Sequence, residues 1–227
     1  MNITYFGHSC LFVESGGKKV IIDPFLSGNP ASGVSPNEIE ADAVLLTHAH
    51  DDHFGDSIEI AKRNDCPIVA VFELAMHCVR LGARAHAMNI GGAYDFDGFR
   101  VKYTQAFHGS SLREGDTYHY AGQPAGILLT MDGKTIYHAG DTSLFGDMKL
   151  IGEMNDIALA ALPIGDNFTM GPEDAVHAAR WLRAKRVVPL HYDTFPVIRQ
   201  DTGKFAAMLG EHDIACFPLK SKETISI

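Results

Sequence analysis

The chain consists of short runs of apolar, often β-branched residues that alternate with turn residues and with a few segments of helical spacing. Gly16-Gly17 lies between two such runs and predicts a β-hairpin, and Asp97-Gly98 and Asp132-Gly133 predict two more. The runs that predict strands are Cys10–Glu14, Lys19–Ile22, Ala43–Thr47, Ile68–Val71, Phe99–Tyr103, Ala125–Thr130, Thr135–His138, Ile157–Leu162, Val187–Leu190, Ala215–Phe217 and Thr224–Ile227.

Helical spacing of apolar residues is confined to a few short segments. Pro172 predicts the start of one helix, and Glu173 and Asp174 follow it in the first turn, where acidic residues are favourable. Strands outnumber helices, helices occur in both halves, and no proline-rich or serine-rich linker divides the chain. We therefore expect an α+β fold of sheets covered by helices, formed by residues 1–227 as a single domain. The predicted helices are Ser57–Arg63, Glu73–Leu81, Pro172–Trp181 and Phe205–Leu209.

Composition narrows the classes of protein and of partner. Of the 227 residues 46% are hydrophobic, too many for a disordered chain, and no apolar run is long enough to span a bilayer. The 28 acidic and 19 basic residues give a formal net charge of −9, so we do not expect nucleic acid as a partner. The first six residues do not resemble a signal peptide. The sequence thus predicts a cytoplasmic protein without membrane association.

The cysteines form no CxxC pair, which predicts reduced thiols without a disulfide framework. One of them follows His8 by two residues, so a Cys/His nucleophile is a second interpretation. Such chemistry requires surroundings that lower the pKa of the thiol. The four residues are Cys10, Cys66, Cys78 and Cys216.

The heptad Thr47-His48-Ala49-His50-Asp51-Asp52-His53 directly follows a predicted buried strand. It brings together three imidazoles and two carboxylates, which are donor groups that suit zinc, manganese or ferrous iron. In an extended backbone His48 and His50 point to the same side, whereas Asp52 and His53 lie round the turn and can face a second ion. Packing so many imidazoles together without a cation is electrostatically unfavourable, which argues against an ordinary polar loop.

Two ions need more ligands than the heptad supplies, and three later residues are candidates. Each follows a predicted strand, where a fixed backbone can aim a side chain at a site. His108 follows Phe99–Tyr103, and His191 follows Val187–Leu190. Asp141 comes shortly after the strand that begins at Thr135. Because a carboxylate has two oxygens, Asp141 is the candidate for a ligand that bridges two ions.

With these residues in view, the chain resembles the metallo-β-lactamase superfamily. The signature HxHxDH of that family matches His48 to His53, and its later ligands are a histidine, a Gly-Asp and a final histidine. The resemblance implies a four-layered αββα sandwich with the metal site at one edge, between the two sheets. A small branch of metal-dependent hydrolases looks most similar, because it carries Gly7-His8-Ser9-Cys10, Ile22-Asp23-Pro24-Phe25, the string at 163–172 and His191-Tyr192-Asp193-Thr194-Phe195-Pro196.

The same resemblance implies a ligand set for two divalent ions, with zinc expected first and manganese, nickel or iron as alternatives. Asp52 is also expected to act in catalysis by orienting the nucleophile or moving a proton. Asp23 is expected to hydrogen-bond a ligand, and His8 either lies beside the site or only packs in its turn. The implied ligands are His48, His50 and His108 for one ion, Asp52, His53 and His191 for the other, and Asp141 between them.

The other histidines match no motif, and His138 is expected within or just after a strand rather than on a metal. The polar loop with Asp166, Asn167 and Thr169 either lines the pocket or caps the following helix. The remaining histidines are His77, His86, His119, His177 and His212.

The expected function is that of a hydrolase that uses a metal-activated water on a small ester-like, lactone, amide or phosphodiester substrate. An iron-dependent redox enzyme on the same scaffold is one alternative, and a metal-stabilised binding protein without turnover is another. A secreted lactamase is not expected, because it would need an export signal. The sequence leaves open the substrate and the oligomeric state, a homo-oligomer included.

Overall fold

A computed structural model describes residues 1–227 as two seven-stranded sheets and a separate two-stranded hairpin. The strands are β1 Asn2–Tyr5, β2 Leu11–Ser15, β3 Lys18–Ile22, β4 Ala43–Leu45, β5 Ile68–Val71, β6 Ala85–Met88, β7 Ala93–Phe96, β8 Phe99–Gln105, β9 Ser111–Glu114, β10 Thr117–Tyr120, β11 Ala125–Met131, β12 Lys134–His138, β13 Ile157–Pro163, β14 Arg186–Leu190, β15 Ala215–Cys216 and β16 Thr224–Ser226. The helices are α1 Asp51–Phe54, α2 Ser57–Arg63, α3 Phe72–Arg80, α4 Met148–Met154, α5 Pro172–Trp181 and α6 Thr202–Gly210.

The two sheets have corresponding topologies. The first has the strand order β16-β1-β2-β3-β4-β5-β6 and the second has β15-β14-β13-β12-β11-β8-β7. From β3 to β6 and from β12 to β15 the neighbouring strands are parallel, whereas the other pairs are antiparallel. Parallel strands end at the same edge of their sheet, so the residues after β3 and β4, and after β12 and β14, collect at that edge.

A hydrophobic core joins the inner faces of the two sheets, and a second core lies under the helices of the second sheet. Ile127 and Leu129 of β11 belong to the first core, and Leu128 between them belongs to the second. Because successive side chains of a strand point to opposite faces, β11 is nearly continuous in apolar residues. The predicted α+β sandwich with helices outside two packed sheets is thus confirmed.

Most predicted elements are present within a residue or two of their expected bounds. The β2–β3 hairpin turns at Gly16 and Gly17, whose φ angles of 59° and 77° are the positive pair that a type I′ turn requires. The helices predicted at Ser57–Arg63 and Pro172–Trp181 have the expected bounds. No helix of the structure combines the length and the apolar character needed to cross a bilayer.

The hairpin of β9 and β10, which the sequence did not predict, lacks a clear hydrophobic face. All four residues of β10 are exposed, so the hairpin of β9 and β10 shows no alternation of buried and exposed positions. Helix α4 was not predicted either, and its apolar face is small, with Met148 and Gly152 buried and Ile151 partly buried against the second core. The short strands β1 and β6 were also not predicted.

Candidate metal centre

All the predicted site residues lie at the edge where strands of both sheets end. His48, His50, Asp52 and His53 follow β4, with the last two inside the short helix α1. His108 follows β8, Asp141 follows β12, and His191 comes directly after β14. Asp23 comes directly after β3, and His8 lies in the turn between β1 and β2. The structure therefore brings together the nine residues that the sequence singled out.

The turn from β4 into α1 separates the heptad into two directions. His50 has an extended backbone at the N-cap of α1, with φ −62° and ψ 148°, and Asp52 and His53 follow in helical conformation. Gly55 ends the helix with φ 40°, and a Cβ atom there would overlap the carbonyl oxygen of Pro24. Only glycine fits this position, so the sharp exit from α1 depends on Gly55.

The first cluster consists of His48, His50 and His108, whose ligand atoms all lie within 4.8 Å of one another. The Thr47 hydroxyl donates to Asp23 Oδ2 at 2.6 Å and therefore accepts from His48 Nδ1 at 3.0 Å. His48 Nε2 is left with a lone pair, and it lies 3.0 Å from His50 Nδ1. Nitrogens bound to one tetrahedral zinc ion lie about 3.3 Å apart, so these two atoms converge as ligands of one ion do.

The second cluster consists of His8, Asp52, His53 and His191, again with ligand atoms within 4.8 Å of one another. Burial lowers the pKa of His8 to about 4, although a hydrogen bond with Asp52 opposes this. Burial would raise the pKa of Asp52, but His8 and His53 outweigh it and lower that pKa. A neutral His8 therefore donates from Nε2 to the Asp52 carboxylate at 3.1 Å, and its Nδ1 lies 3.0 Å from Thr194 Oγ1.

Asp141 lies between the two clusters. Its Oδ2 atom is 3.0 Å from His191 Nε2 and 3.5 Å from His108 Nε2, while its Oδ1 atom is 3.3 Å from His53 Nε2. Burial would raise the pKa of this carboxyl group, but His191 and His53 outweigh it and hold the pKa well below its usual range. Asp141 is therefore an ionised carboxylate in contact with histidines of both clusters, as a bridging ligand must be.

Asp23 determines which nitrogen of His53 carries a proton. The fully buried carboxylate accepts from Thr47 N at 2.8 Å, from Thr47 Oγ1 at 2.6 Å and from His53 Nδ1 at 2.8 Å. A proton on His53 Nδ1 leaves the lone pair of Nε2 facing Asp141. Burial lowers the pKa of His53, yet Asp141 and Asp23 raise it well above its ordinary value. The surroundings of His53 therefore favour a positive charge at Nε2.

Two buried acceptor atoms provide a test of whether a metal fits. With the only ring proton of His53 on Nδ1, neither His53 Nε2 nor Asp141 Oδ1 has a hydrogen-bond partner, although they face each other at 3.3 Å; a second proton on Nε2 would make them an ion pair. Unpaired buried polar atoms are costly and rare in native structures. A cation between a ring nitrogen and a carboxylate oxygen would satisfy both. The donor atoms present therefore fit a divalent metal ion, and their positions agree with the ligand set expected from the sequence.

Three other expectations can be compared with the structure. His138 ends β12 and is no candidate ligand, because Nε2 donates to Ser9 O at 2.8 Å and Nδ1 accepts from Gly140 N at 3.1 Å. The expectation that the 166–169 loop caps α5 is wrong, since Gly171 is the N-cap and no side chain bonds it. Burial raises the pKa of Cys10 well above its usual value, which contradicts a Cys/His nucleophile.

Two threonines contact the proposed site residues, although the sequence did not single them out. Thr47 joins Asp23 to His48, and Thr194 contacts His8 across 186 residues of chain. Thr47 opens the heptad, and Thr194 lies in the string after His191, so both stood in the motifs without a recognised role.

Comparison with known proteins agrees with this geometry. A family model described as the β-lactamase superfamily domain matches residues 2–191. The UPF0173 metal-dependent hydrolase of Anoxybacillus flavithermus is 56% identical over 210 residues, which cover 92% of this chain and 93% of the relative. A relative of the same description in Bacillus cytotoxicus is 58% identical over 211 residues, with coverage of 92% and 93%.

A solved structure extends the similarity across the whole chain. Igni18, a metallo hydrolase from the archaeon Ignicoccus hospitalis, superposes with a TM-score of 0.90 at 36% sequence identity. The match covers 99% of this chain and 97% of Igni18. The fold, the donor atoms and these relatives agree, and the chain belongs to the β-lactamase superfamily and, within it, to the family of UPF0173 metal-dependent hydrolases.

Proposed function

We propose that the protein is a hydrolase that holds two divalent metal ions and uses a metal-activated water to cleave a small ester-like, lactone, amide or phosphodiester substrate. The observation that carries this proposal is the pair of unpartnered buried acceptors, His53 Nε2 and Asp141 Oδ1. A divalent ion held there lowers the pKa of bound water and polarises a carbonyl or phosphoryl oxygen. The family assignment supports metal-dependent hydrolysis, and the two clusters support the count of ions.

The two proposed sites share one carboxylate. Each cluster supplies three proposed ligands, and Asp141 contacts histidines of both. Imidazole and carboxylate ligands suit zinc, which we propose as the ion, and the same donors accept manganese, nickel or iron. The proposed ligands are His48, His50 and His108 for the first ion, Asp52, His53 and His191 for the second, and Asp141 for both.

The site is partly open to solvent. His48, His53, His191 and Asp141 are at most 3% exposed, whereas the side chains of Asp52 and His108 are 28% and 15% exposed and His50 is half-buried. A substrate can therefore reach the centre past His50, Asp52 and His108. This geometry keeps bulk water from most of the ligand atoms, which strengthens electrostatic interactions within the site.

We assign the proton chemistry to Asp52. Its Oδ2 atom accepts from His8 Nε2 at 3.1 Å, so one oxygen is held in place and the other is available to orient water or to accept its proton. His8 does not contact the solvent and acts by positioning Asp52. Asp23 positions His53 in the same manner, through the bond to Nδ1.

The proposal is tested by metal analysis and a substrate panel. We expect two equivalents of metal per chain and cleavage of at least one ester, lactone, amide or phosphodiester. His48→Ala removes a proposed ligand and should lower both the metal content and the rate. His212→Ala replaces an exposed histidine far along the chain and should change neither. A metal-loaded protein that cleaves nothing, and behaves like His48→Ala on the whole panel, contradicts the hydrolase.

The same measurements separate the alternatives. A single equivalent of metal contradicts the dinuclear centre while leaving a mononuclear hydrolase. Iron with visible absorption that responds to a reductant favours the redox enzyme instead. Tight ligand binding without product, in a chain that unfolds on chelation, favours a binding protein.

A further inference from the structure

A cavity of about 400 Å³ opens beside the exposed side of the proposed metal centre. His108 and Gly109 form part of its wall, and Gly109 lies against the imidazole ring of His50, since a Cβ atom there would be 3.6 Å from Nε2. The cavity is therefore continuous with the side on which a substrate approaches the ions. No residue that binds or positions the ions in our proposal, other than His108, lines it.

The wall of this cavity carries no Asp, Glu, Lys or Arg residue, although 21% of the chain is charged. The only charges near it are the Glu73 carboxylate beside Gly122 and the ions proposed beyond His108. Two aromatic side chains in it are instead open to solvent, with Phe107 56% and Tyr120 71% exposed. Large exposed aromatic surfaces next to a reactive centre are typical of sites that bury an apolar group of a ligand.

The aromatic surface continues along the hairpin. Tyr118 and Tyr120 are two residues apart on β10, so their side chains lie on the same face of the strand. Tyr118 is 66% exposed and extends the surface outward from the cavity. The opposite face contains Leu112, which packs against the core and fixes the hairpin to the body.

We propose that this cavity is the substrate subsite, and that it takes an aryl group of the substrate next to the bond that the ions act on. The inference rests on the proposed hydrolase, because it names the class of substrate that the centre would cleave. The aryl group packs on Phe107 and Tyr120.

Binding is measured apart from turnover, by ¹⁹F NMR with two small uncharged probes. 4-Fluoroacetanilide carries an aryl group, and 2,2,2-trifluoro-N-methylacetamide has the amide without an aryl group. We expect 4-fluoroacetanilide to bind at least tenfold more tightly than the amide without an aryl group. Tyr120→Ala should weaken binding of 4-fluoroacetanilide about tenfold, and Tyr94→Ala, at an exposed tyrosine on β7, should not weaken it.

Turnover provides the second measurement. For the bond that the panel identifies, an aryl substrate should have a lower KM than its methyl counterpart, and Tyr120→Ala should raise the aryl KM with little change in kcat. Equal binding of the probes with and without an aryl group, or equal effects of Tyr120→Ala and Tyr94→Ala, overturns the subsite. Aryl binding that follows this pattern in a protein without hydrolytic activity supports the subsite and contradicts the proposed function. Hydrolysis without a preference for aryl substrates supports the proposed function and contradicts the subsite.

Discussion

Replacement of Asp23 by asparagine changes the protonation of His53 while it nearly preserves the shape of the side chain. In the structure Asp23 accepts three hydrogen bonds and donates none. An asparagine can keep the bond from Thr47 N through its oxygen. Its amide nitrogen then occupies the position of Oδ2 and faces His53 Nδ1. Because that nitrogen is a donor, the favoured His53 tautomer becomes the one with the proton on Nε2, which cannot bind a metal.

Two effects of different size follow from this change. Two charge-assisted hydrogen bonds are lost, each with a contribution of about 1.5–3 kcal/mol, so the free energy of unfolding falls by up to about 3–6 kcal/mol. The change of His53 tautomer recovers part of this loss, since the amide can then donate to Nδ1. Metal affinity falls by about 10-fold to 100-fold, the usual effect of removing the partner of a ligating histidine.

Asp56→Asn is the matched control. Asp56 also accepts two hydrogen bonds through one oxygen, from Leu26 N at 3.0 Å and Ser27 N at 2.8 Å, but it does not contact a proposed ligand. Urea unfolding should show destabilisation of both variants. Competition with a chromogenic chelator should show weaker metal binding only in Asp23→Asn, and ¹⁵N NMR should show His53 Nδ1 without its proton only there. If Asp23→Asn binds metal as tightly as wild type, or keeps the proton on Nδ1, our account of the centre is refuted.

Three further predictions concern the thiols, a turn and a buried histidine. Burial raises the pKa of Cys66 to about 11 and that of Cys78 to about 12. Native protein at pH 8 should therefore not react with a disulfide reagent, whereas all four thiols should react in urea. Fast reaction of any thiol in the native state would contradict this. Gly55→Ala should lower the free energy of unfolding by at least about 2 kcal/mol, because the new Cβ atom overlaps Pro24 O and the φ angle is positive. Urea unfolding measures the loss, and Gly17→Ala is the control, since a Cβ atom at Gly17 contacts no other atom. His138→Leu leaves Ser9 O and Gly140 N without partners and should lower the free energy of unfolding by about 2–6 kcal/mol. His138→Gln should be closer to wild type in the same assay. Equal losses of stability in both variants would argue against the two hydrogen bonds.

The parts of the fold that could be predicted are those in which local pattern and tertiary environment agree. Strand β11 and helix α5 have apolar positions that match their buried faces, and their bounds were found to within a residue. The hairpin of β9 and β10 lacks a buried face on β10, so nothing in the hydrophobic pattern distinguished it from a loop. The placement of this hairpin matters for the proposed function. Ser110 directly precedes β9 and Tyr120 ends β10, so the two residues meet at the cavity only when the strands pair.

The proposed metal ligands could be recognised in the sequence for a related reason. Each follows a strand, and the heptad concentrates four of them in a short segment, so the chemistry could be recognised before any distance was known. The residues that hold the ligands depend on contacts distant in sequence, such as Asp23 with His53 and His8 with Thr194. Those contacts form only when β1, β3, β4 and β14 end at one edge, and a linear pattern does not contain that information.

The proposed ligands are distributed over the two sheets, so both halves of the chain would contribute to the centre. His48, His50, Asp52 and His53 follow a strand of the first sheet, and the other three proposed ligands follow strands of the second. Asp141, which follows a strand of the second sheet, lies 3.3 Å from His53, which follows a strand of the first. The two halves therefore contact each other through a carboxylate and an imidazole. Neither half holds a full set for either ion, because His108 completes one cluster and His191 the other. Ions bound there would link the two sheets, so metal affinity and the packing of the sandwich must depend on each other.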